Sequence, residues 1–371
     1  MTLLDRYILK EWLKVFGMAL GTMVGLLIIG QIFDSMSDFL EWKTPGGKVA
    51  LYYVYQLPSQ MPIVLPVATL VSMLFILGHL HKNQELTAMR AAGLSVRRIT
   101  RTLWLAGAAC TALLMLINTV VASASTEAAR TIYETEKFSH KDKSAGAAPK
   151  GDEFVAAFFE NGRDNRRWRI DELGAYTGQA SGVRVYELGT DGKPVRQVFA
   201  EYAKFDDARG FWIFKKGREV EYAKDEPTFS DQKPFETREF PTYREKPMHM
   251  RLMGKKPSAL SLDEIDTLLS ISGDMESSKT SALSVRYHSL LASPFACLVC
   301  VGLAIPFAVA GVRTNPMIGV SKAIGVFILY YLLDRIAYAL GSQQVLPPML
   351  AAWLPLVLVL AYAAHLSRKV N

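Results

Sequence analysis

The residue types that enzymes use are present in this 371-residue chain, but their spacing matches no common catalytic or nucleotide-binding motif. No G-x-x-x-x-G-K-[ST] phosphate loop, no H-E-x-x-H and no G-x-S-x-G occurs. The six histidines are scattered, without the clustering that a metal site needs. Cys297 and Cys300 form a C-x-x-C pair inside an apolar run, where small helix-packing residues are the better interpretation. We therefore expect no active site, no metal and no bound cofactor.

The polar stretch with the most specific pattern is the loop at about residues 83–95. Asn83 can cap a short helix and Gly93 can end it. Glu85 falls in the first turn of that helix, where an external arginine could reach it. Such a helix could lie on lipid headgroups, but its apolar face is short and rich in alanine. That composition fits a groove in a partner protein better than a membrane surface.

A second unusual feature is a charged pair within an apolar run near the C-terminus. Asp334 follows Lys322 by 12 residues, which corresponds to a depth of about 18 Å along a helix. A charge at that depth costs a few kcal/mol unless it is paired or reached by water. Asp334 and the adjacent Arg335 are therefore candidates for a cavity or gate contact. A structural pair with a neighbouring span remains the alternative.

The elements that carry these residues are apolar runs of membrane-spanning length. Half of the residues are hydrophobic and 21% are charged, whereas soluble chains usually carry about 25% charge. Six runs are nearly free of charge: 15–33, 49–81, 102–126, 287–312, 323–333 and 336–367. A span needs about 20 residues, so the last two runs are interpreted as one block folded into a two-span hairpin. The sequence thus predicts six spans and excludes a single soluble globule.

The distribution of charge predicts the orientation of these spans. Residues 127–286 carry 27 Lys and Arg against 28 Asp and Glu, whereas the remainder carries 15 against 7. That positive excess lies before span one, between spans two and three, between spans four and five, and after span six. The positive-inside rule therefore places both termini in the cytoplasm and the polar insert on the opposite side. Because no basic patch with interleaved aromatic residues occurs, we expect no nucleic-acid partner.

The polar insert has the composition of a β domain, assigned to residues 127–257. Five predicted strands are separated by turn-forming residues: Glu153–Phe159, Arg166–Ile170, Val183–Leu188, Val195–Phe205 and Phe211–Phe214. Short strands at this spacing indicate a sandwich or jelly roll. Residues 258–284 are interpreted as a linker, in which Ser261 and Glu264 form a capping box for a short amphipathic helix. Residues 1–126 and 285–371 then hold three spans each.

Two spans carry patterns with a structural and a functional interpretation. Span two contains three prolines at four-residue spacing: Pro58, Pro62 and Pro66. They could kink a cavity-lining helix, or they could mark a partly unwound segment before the span. Span one contains three glycines on one face: Gly17, Gly21 and Gly25. This face permits close helix packing, either with another protein or within the chain.

Four motifs in this order resemble the LptF/LptG permease family of the lipopolysaccharide exporter. They are the segments Leu4–Ile8, Glu85–Gly93, Tyr331–Asp334 and Leu346–Pro355. The similarity covers the whole chain, as three spans, a large exported β domain and three further spans. The last two motifs are closer to the LptG branch. The resemblance implies a polytopic α-helical membrane protein with an inserted periplasmic β-jelly-roll domain.

The resemblance also implies a non-catalytic half of an ABC transporter in the inner membrane of a Gram-negative bacterium. ATP and Mg would be used by a separate LptB-like ATPase dimer, and the short loop helix would be the coupling helix seated on it. The coupling set is Glu85, Leu86, Met89, Arg90 and Gly93. Other implied partners are an LptF-like six-span permease, LptC-like and LptA-like jelly-roll proteins, and lipopolysaccharide itself.

One departure from the family concerns the mouth of the lipid cavity. Some members carry lysines there on spans one and two, where this chain has Gln31 and Ser59. Arg130 or Lys137 could replace that phosphate contact, although both could equally be solvated stalk residues. The candidate cavity or gate set is therefore Gln31, Asp34, Ser59, Arg130, Lys137, Asp334 and Arg335.

Two other classes of protein compete with this interpretation. A lipoprotein-release or efflux permease of the ABC type usually has four spans, with its large exported domain after the first. Here three spans precede the domain. A non-transporting envelope scaffold would have no need of a capped cytoplasmic helix that displays Glu85, and co-purification of an ATPase would distinguish it directly.

Overall fold

The computed structural model describes residues 2–145, 154–174, 178–189, 192–222, 229–272, 278–309 and 316–370. The chain divides into two compact units, and each has its own core. One comprises Met1–Glu134 with Ser281–Asn371, and the other comprises Thr135–Thr280. The first is helical, and the second contains the β-sheet.

Six helical segments in the described part of the chain are long and apolar enough to cross a membrane. They are Leu3–Glu41, Gly46–Lys82, Val96–Lys137, Lys279–Ala308, Gly319–Ser342 and Pro348–Arg368. The six-span prediction, including the C-terminal hairpin, is confirmed. Three spans precede the β domain and three follow it, which confirms the predicted class of a helical membrane protein with an inserted β domain.

The helices of the first unit are named here in chain order. They are α1 (Leu3–Glu41), α2 (Gly46–Lys82), α3 (Glu85–Ala91), α4 (Val96–Leu116), α5 (Ala122–Ala145), α8 (Ser278–Ala292), α9 (Ala296–Val309), α10 (Pro316–Ser342) and α11 (Pro348–Val370). A π-helical turn at Ile117–Val121 joins α4 to α5. Helix therefore continues through the position at which the sequence placed the end of the third span, residue 126. The other unit contains α6 (Pro247–Gly254), α7 (Leu262–Ser272), residues 135–145 of α5 and residues 278–280 of α8.

The helical unit, Met1–Glu134 with Ser281–Asn371, is called the membrane unit below. Helices α2 and α9 form its centre. In the most apolar window of α2, 67% of residues are buried, against 6% in that of α1. Gly107 on α4 lets that helix approach α9, because a Cβ atom there would collide with the side chain of Val301. Gly341 on α10 similarly allows close contact with Ala351 on α11. Glycine thus sets the distance between helices at two core contacts.

Helix α2 runs unbroken past all three of its prolines. The alternative of a partly unwound segment before span two is therefore wrong. Each proline removes one backbone hydrogen bond from the helix, but tight packing retains the helical path. Val64, Leu65 and Ala68, which lie beside Pro66, are all buried.

The second unit is built on six antiparallel strands in consecutive order. They are β1 (Phe154–Asn161), β2 (Arg166–Gly174), β3 (Gln179–Leu188), β4 (Pro194–Asp206), β5 (Phe211–Tyr222) and β6 (Phe229–Phe240). Five of them overlap the five predicted strands, although Glu153 lies outside the described residues. Strand β6 has no counterpart in the sequence prediction, because Lys233 and Pro234 in its centre look like loop residues.

The sheet curls around an aromatic core. Trp168 on β2 and Trp212 on β5 have ring centroids 5.4 Å apart, although two strands separate them in the sheet. In a flat sheet, three strand steps would place them about 14 Å apart. Tyr243 packs on Trp168 at 5.4 Å and extends the core. The described strands thus form one curled up-and-down sheet, without the Greek-key crossover that a two-sheet jelly roll would have.

Two helices follow the sheet within the second unit, α6 (Pro247–Gly254) and α7 (Leu262–Ser272). The predicted capping box is present before α7. The Ser261 backbone N–H donates to Glu264 at 2.8 Å, and the Glu264 N–H donates to the Ser261 hydroxyl at 3.3 Å. Helix α6, which was not predicted, packs against β1.

Candidate functional site

The candidate coupling helix is α3, a seven-residue helix between α2 and α4. It begins after Gln84, whose left-handed backbone (φ +59°) turns the chain out of α2. Asn83 is not its cap, which corrects the sequence prediction. Asn83 instead closes α2, with its backbone N–H 3.0 Å from the carbonyl of His79. Gly93, at φ +85°, adopts the left-handed conformation that follows many helices and thus ends this segment as predicted.

The apolar face of α3 packs onto its own chain. Leu86 is only 1% exposed and belongs to the core of the membrane unit, and Met89 is partly buried against that core. Leu86 therefore cannot contact a partner protein, which corrects its place in the coupling set. The exposed side of α3 consists instead of Thr87, Ala88, Arg90 and Ala91.

Glu85 is held from the side by span one. The hydroxyl of Tyr7 on α1 donates a hydrogen bond to Glu85 Oε2 at 3.0 Å. Glu85 is half-buried at the start of α3. Sequence reasoning missed this contact because 78 residues separate the two side chains. The only signal was that both lie in segments that carry the family resemblance.

The start of α1 is also tied to α4. Asp5 accepts hydrogen bonds from the Thr2 backbone N–H at 2.8 Å and from the Thr102 hydroxyl at 3.0 Å. Arg98 lies 3.5 Å from the same carboxylate. Asp5 thus joins the first turn of α1 to the first two turns of α4, and Tyr7 joins α1 to α3. Side-chain hydrogen bonds and an ion pair thus connect the three helices at this end of the unit.

Asp334 and Arg335 line a small cavity between α2, α8, α10 and α11. Its volume is about 80 Å³, and the cavity wall also includes Arg286, Tyr330 and Tyr338. The partly buried Arg286 was missed by sequence reasoning. It immediately precedes the uncharged run 287–312 and was therefore excluded from that span. The cavity accordingly contains two cations and one carboxylate within the membrane unit.

The other candidate cavity residues do not line this cavity. Ser59 is exposed and donates to the Gln56 carbonyl at 2.7 Å. The buried Gln31 Oε1 has no hydrogen-bond partner among the described residues. Arg130 forms an ion pair with Glu127 on its own helix at 2.8 Å, so its charge is already engaged.

Two further candidates, Asp34 at the outer part of α1 and Lys137 in the second unit, are exposed. Exposure leaves both side chains open to water or to a ligand, and for Lys137 it agrees with the alternative of a solvated stalk residue. Neither side chain is held in a defined site by the described residues around it.

The glycine face of α1 is open in this chain. A Cβ atom at Gly17, Gly21 or Gly25 would have no described atom within 4 Å. Large apolar side chains on the same helix are also exposed, with Leu26 at 65% and Phe33 at 83%. These glycines therefore make no close helix contact within the described chain, which leaves them free to pack against another protein.

The chain is similar to known proteins over nearly its whole length. The sequence profile described as lipopolysaccharide export system permease LptF/LptG matches residues 6–369. The lipopolysaccharide export system permease protein LptG of Escherichia coli K12 is 23% identical over 358 residues, which cover 95% of this chain and 94% of that protein. LptG of Escherichia coli O6:H1 CFT073 matches with the same identity and coverage. The chain therefore belongs to the LptF/LptG family of lipopolysaccharide export system permeases.

Proposed function

We propose that this chain is one permease half of an ABC transporter that extracts lipopolysaccharide from the inner membrane. Family membership supports the transport function, and one structural observation supports the way in which it is driven. Helix α3 is exposed on one side, while its other side is joined to the spans through Leu86 and the Tyr7–Glu85 hydrogen bond. An element that transmits movement from an ATPase to a membrane domain needs both properties.

The ATPase docks on the exposed side of α3, which includes Arg90, and the half-buried Glu85 supplies a negative charge at the start of the helix. The positive-inside rule supports this assignment, since Arg97, Arg98 and Arg101 lie at the same end of the membrane unit. Both chain termini are then cytoplasmic, and the β domain is periplasmic. ATP and Mg²⁺ are bound by the partner and not by this chain.

A second six-span permease covers the open faces of the spans. The glycine face of α1 is one such surface, and α10 offers another through Ile328, Leu332 and Ile336, all exposed and one helical turn apart. Two such halves enclose a cavity wide enough for a lipid. Asp334, Arg335 and Arg286 face the small polar cavity beside α10, and we assign them to the wall or gate of that path.

The β domain passes lipopolysaccharide towards a periplasmic bridge of related β proteins. Strand β1 has α6 packed against it, whereas the only described strand that pairs with β6 is β5. An exposed strand edge is a template for pairing with another sheet. We therefore propose β6 as the docking edge for an LptC-like or LptA-like partner.

Co-purification in mild detergent tests this function. The tagged chain should bring down an ATPase and a second six-span protein, both identified by mass spectrometry, together with lipopolysaccharide detected in the same fraction. The Glu85→Ala variant should retain the second permease and lose the ATPase. A homodimer without any ATPase would contradict the proposal and would favour an envelope scaffold.

A further inference from the structure

A lateral groove opens between α4, α9 and α11 and shares no lining residue with the Asp334 cavity. Its volume is about 470 Å³, within the usual range of small-molecule sites. Trp104, Ile305 and Leu360 provide apolar walls, one from each helix. Trp104 is 40% exposed on a membrane-spanning helix, so the groove is open to the lipid phase.

One end of this groove is cationic. Arg97, in the first turn of α4, lines it, and Arg101 follows one turn later. Ser367 near the end of α11 also lines the groove and is followed directly by the exposed Arg368. Trp104 lies seven residues beyond Arg97, which is about 10 Å along the helix. The groove therefore combines a basic mouth with an apolar interior.

Arg97 is available for a ligand. Its side chain is exposed and forms no ion pair or hydrogen bond with another residue in the described part of the chain. A guanidinium group binds phosphate oxygens through two parallel hydrogen bonds. Basic pockets between spans on the cytoplasmic side of a membrane are suited to anionic headgroups. A soluble anion would use the arginine but gain nothing from the apolar walls.

We propose that this groove is a binding site for an anionic phospholipid. The lipid phosphate lies on Arg97, and one acyl chain lies against Trp104 and Leu360. In the proposed topology this lipid belongs to the cytoplasmic leaflet. That leaflet assignment rests on the proposed function, whereas lipid binding itself does not.

Quenching of Trp104 fluorescence by brominated lipids provides a site-specific test. The full chain is placed in phosphatidylcholine nanodiscs with increasing amounts of brominated phosphatidylglycerol or brominated phosphatidylcholine. The difference between the unsubstituted chain and Trp104→Phe isolates the signal of Trp104. Phosphatidylglycerol should half-quench this signal at about one-fifth of the mole fraction that phosphatidylcholine requires. Arg97→Gln should abolish the preference.

Matched variants separate this site from general effects of charge and bulk. Arg6→Gln removes an exposed arginine from α1, outside the groove, and should leave the preference intact. Ala364→Phe fills the groove and should protect Trp104 from both lipids. Ala361→Phe adds the same ring to an exposed position of α11 that does not line the groove, and it should have no effect.

Three results would overturn the proposal. Equal quenching by the two lipids would mean that Trp104 contacts only bulk lipid. A preference that survives Arg97→Gln would place the headgroup elsewhere. Loss of the preference in millimolar inorganic phosphate would indicate an ion site instead of a lipid site. None of these measurements involves an ATPase or lipopolysaccharide, so they remain informative even if the transport function fails its own test.

Discussion

At the scale of single residues, the proposed coupling to the ATPase depends most on the charge of Glu85. If it pairs with a partner arginine that is shielded from water, its removal leaves that charge unpaired, at a cost of about 2–5 kcal/mol of binding. We expect Glu85→Ala to insert normally but to bind the ATPase about 30-fold more weakly or worse. Glu85→Lys should be worse still, and a charge-reversed partner arginine should partly rescue it. Normal ATPase association of Glu85→Ala in membranes would contradict the coupling role.

Tyr7 has a smaller and separable effect at the same site. Tyr7→Phe removes only the hydrogen bond to Glu85, which is worth about 0.5–1.5 kcal/mol. The carboxylate stays in place for the ATPase, so association should weaken by about 10-fold at most. Glu85→Gln can retain the hydrogen bond from Tyr7 while losing its charge. An ATPase titration should therefore rank Tyr7→Phe above Glu85→Gln and Glu85→Ala in affinity, and the reverse order would show that the hydrogen bond matters more than the charge.

At the scale of elements, substitution by alanine should destabilise the chain at one span glycine and leave its stability unchanged at another. Gly107→Ala forces a methyl group against Val301, and such overpacking typically costs about 1–3 kcal/mol. Gly25→Ala meets no described atom and should leave the thermal stability of the purified chain unchanged. Gly25→Leu should likewise fold but lose the second permease on co-purification. Equal destabilisation at the two positions would mean that the glycine face of α1 is packed within the chain.

The free edge of the sheet gives a second prediction at this scale. A photo-crosslinker at Glu236 on β6 should capture a periplasmic β protein, because β6 is paired on one side only in the described chain. Tyr202 on β4 is the matched control, since it is exposed but its strand is paired on both sides. Adducts from Tyr202 alone, or only with lipid, would contradict docking through β6.

The sequence predicted those helices and strands that a single strong local pattern marks. Uninterrupted apolar runs define the spans, and alternation with turn residues defines five strands. Strand β6 was missed because Pro234 resembles a turn, although proline is tolerated at the edge of a sheet. The direction in which Leu86 points and the Tyr7–Glu85 contact depend on how distant helices pack, and no local pattern records that. Arg286 was missed because its charge places it just outside the uncharged run 287–312.

At the scale of the whole molecule, the charge bias predicts which loops face which side of the membrane. Single cysteines introduced at Gly192 and Ser342 should be labelled by a membrane-impermeant maleimide in intact spheroplasts, whereas one at Ser95 should be labelled only after lysis. The three native cysteines are buried and free, so they should add little background. Labelling of Ser95 from outside would contradict the proposed orientation.

The central claim is that this chain moves lipopolysaccharide out of a membrane at the expense of ATP hydrolysis in a partner. The direct measurement reconstitutes the purified complex with lipopolysaccharide in proteoliposomes and follows its transfer to a soluble β-jelly-roll acceptor by photo-crosslinking. We predict transfer that requires ATP and that is lost when this chain is omitted from the complex. Equal transfer without ATP, or without this chain, would contradict the account.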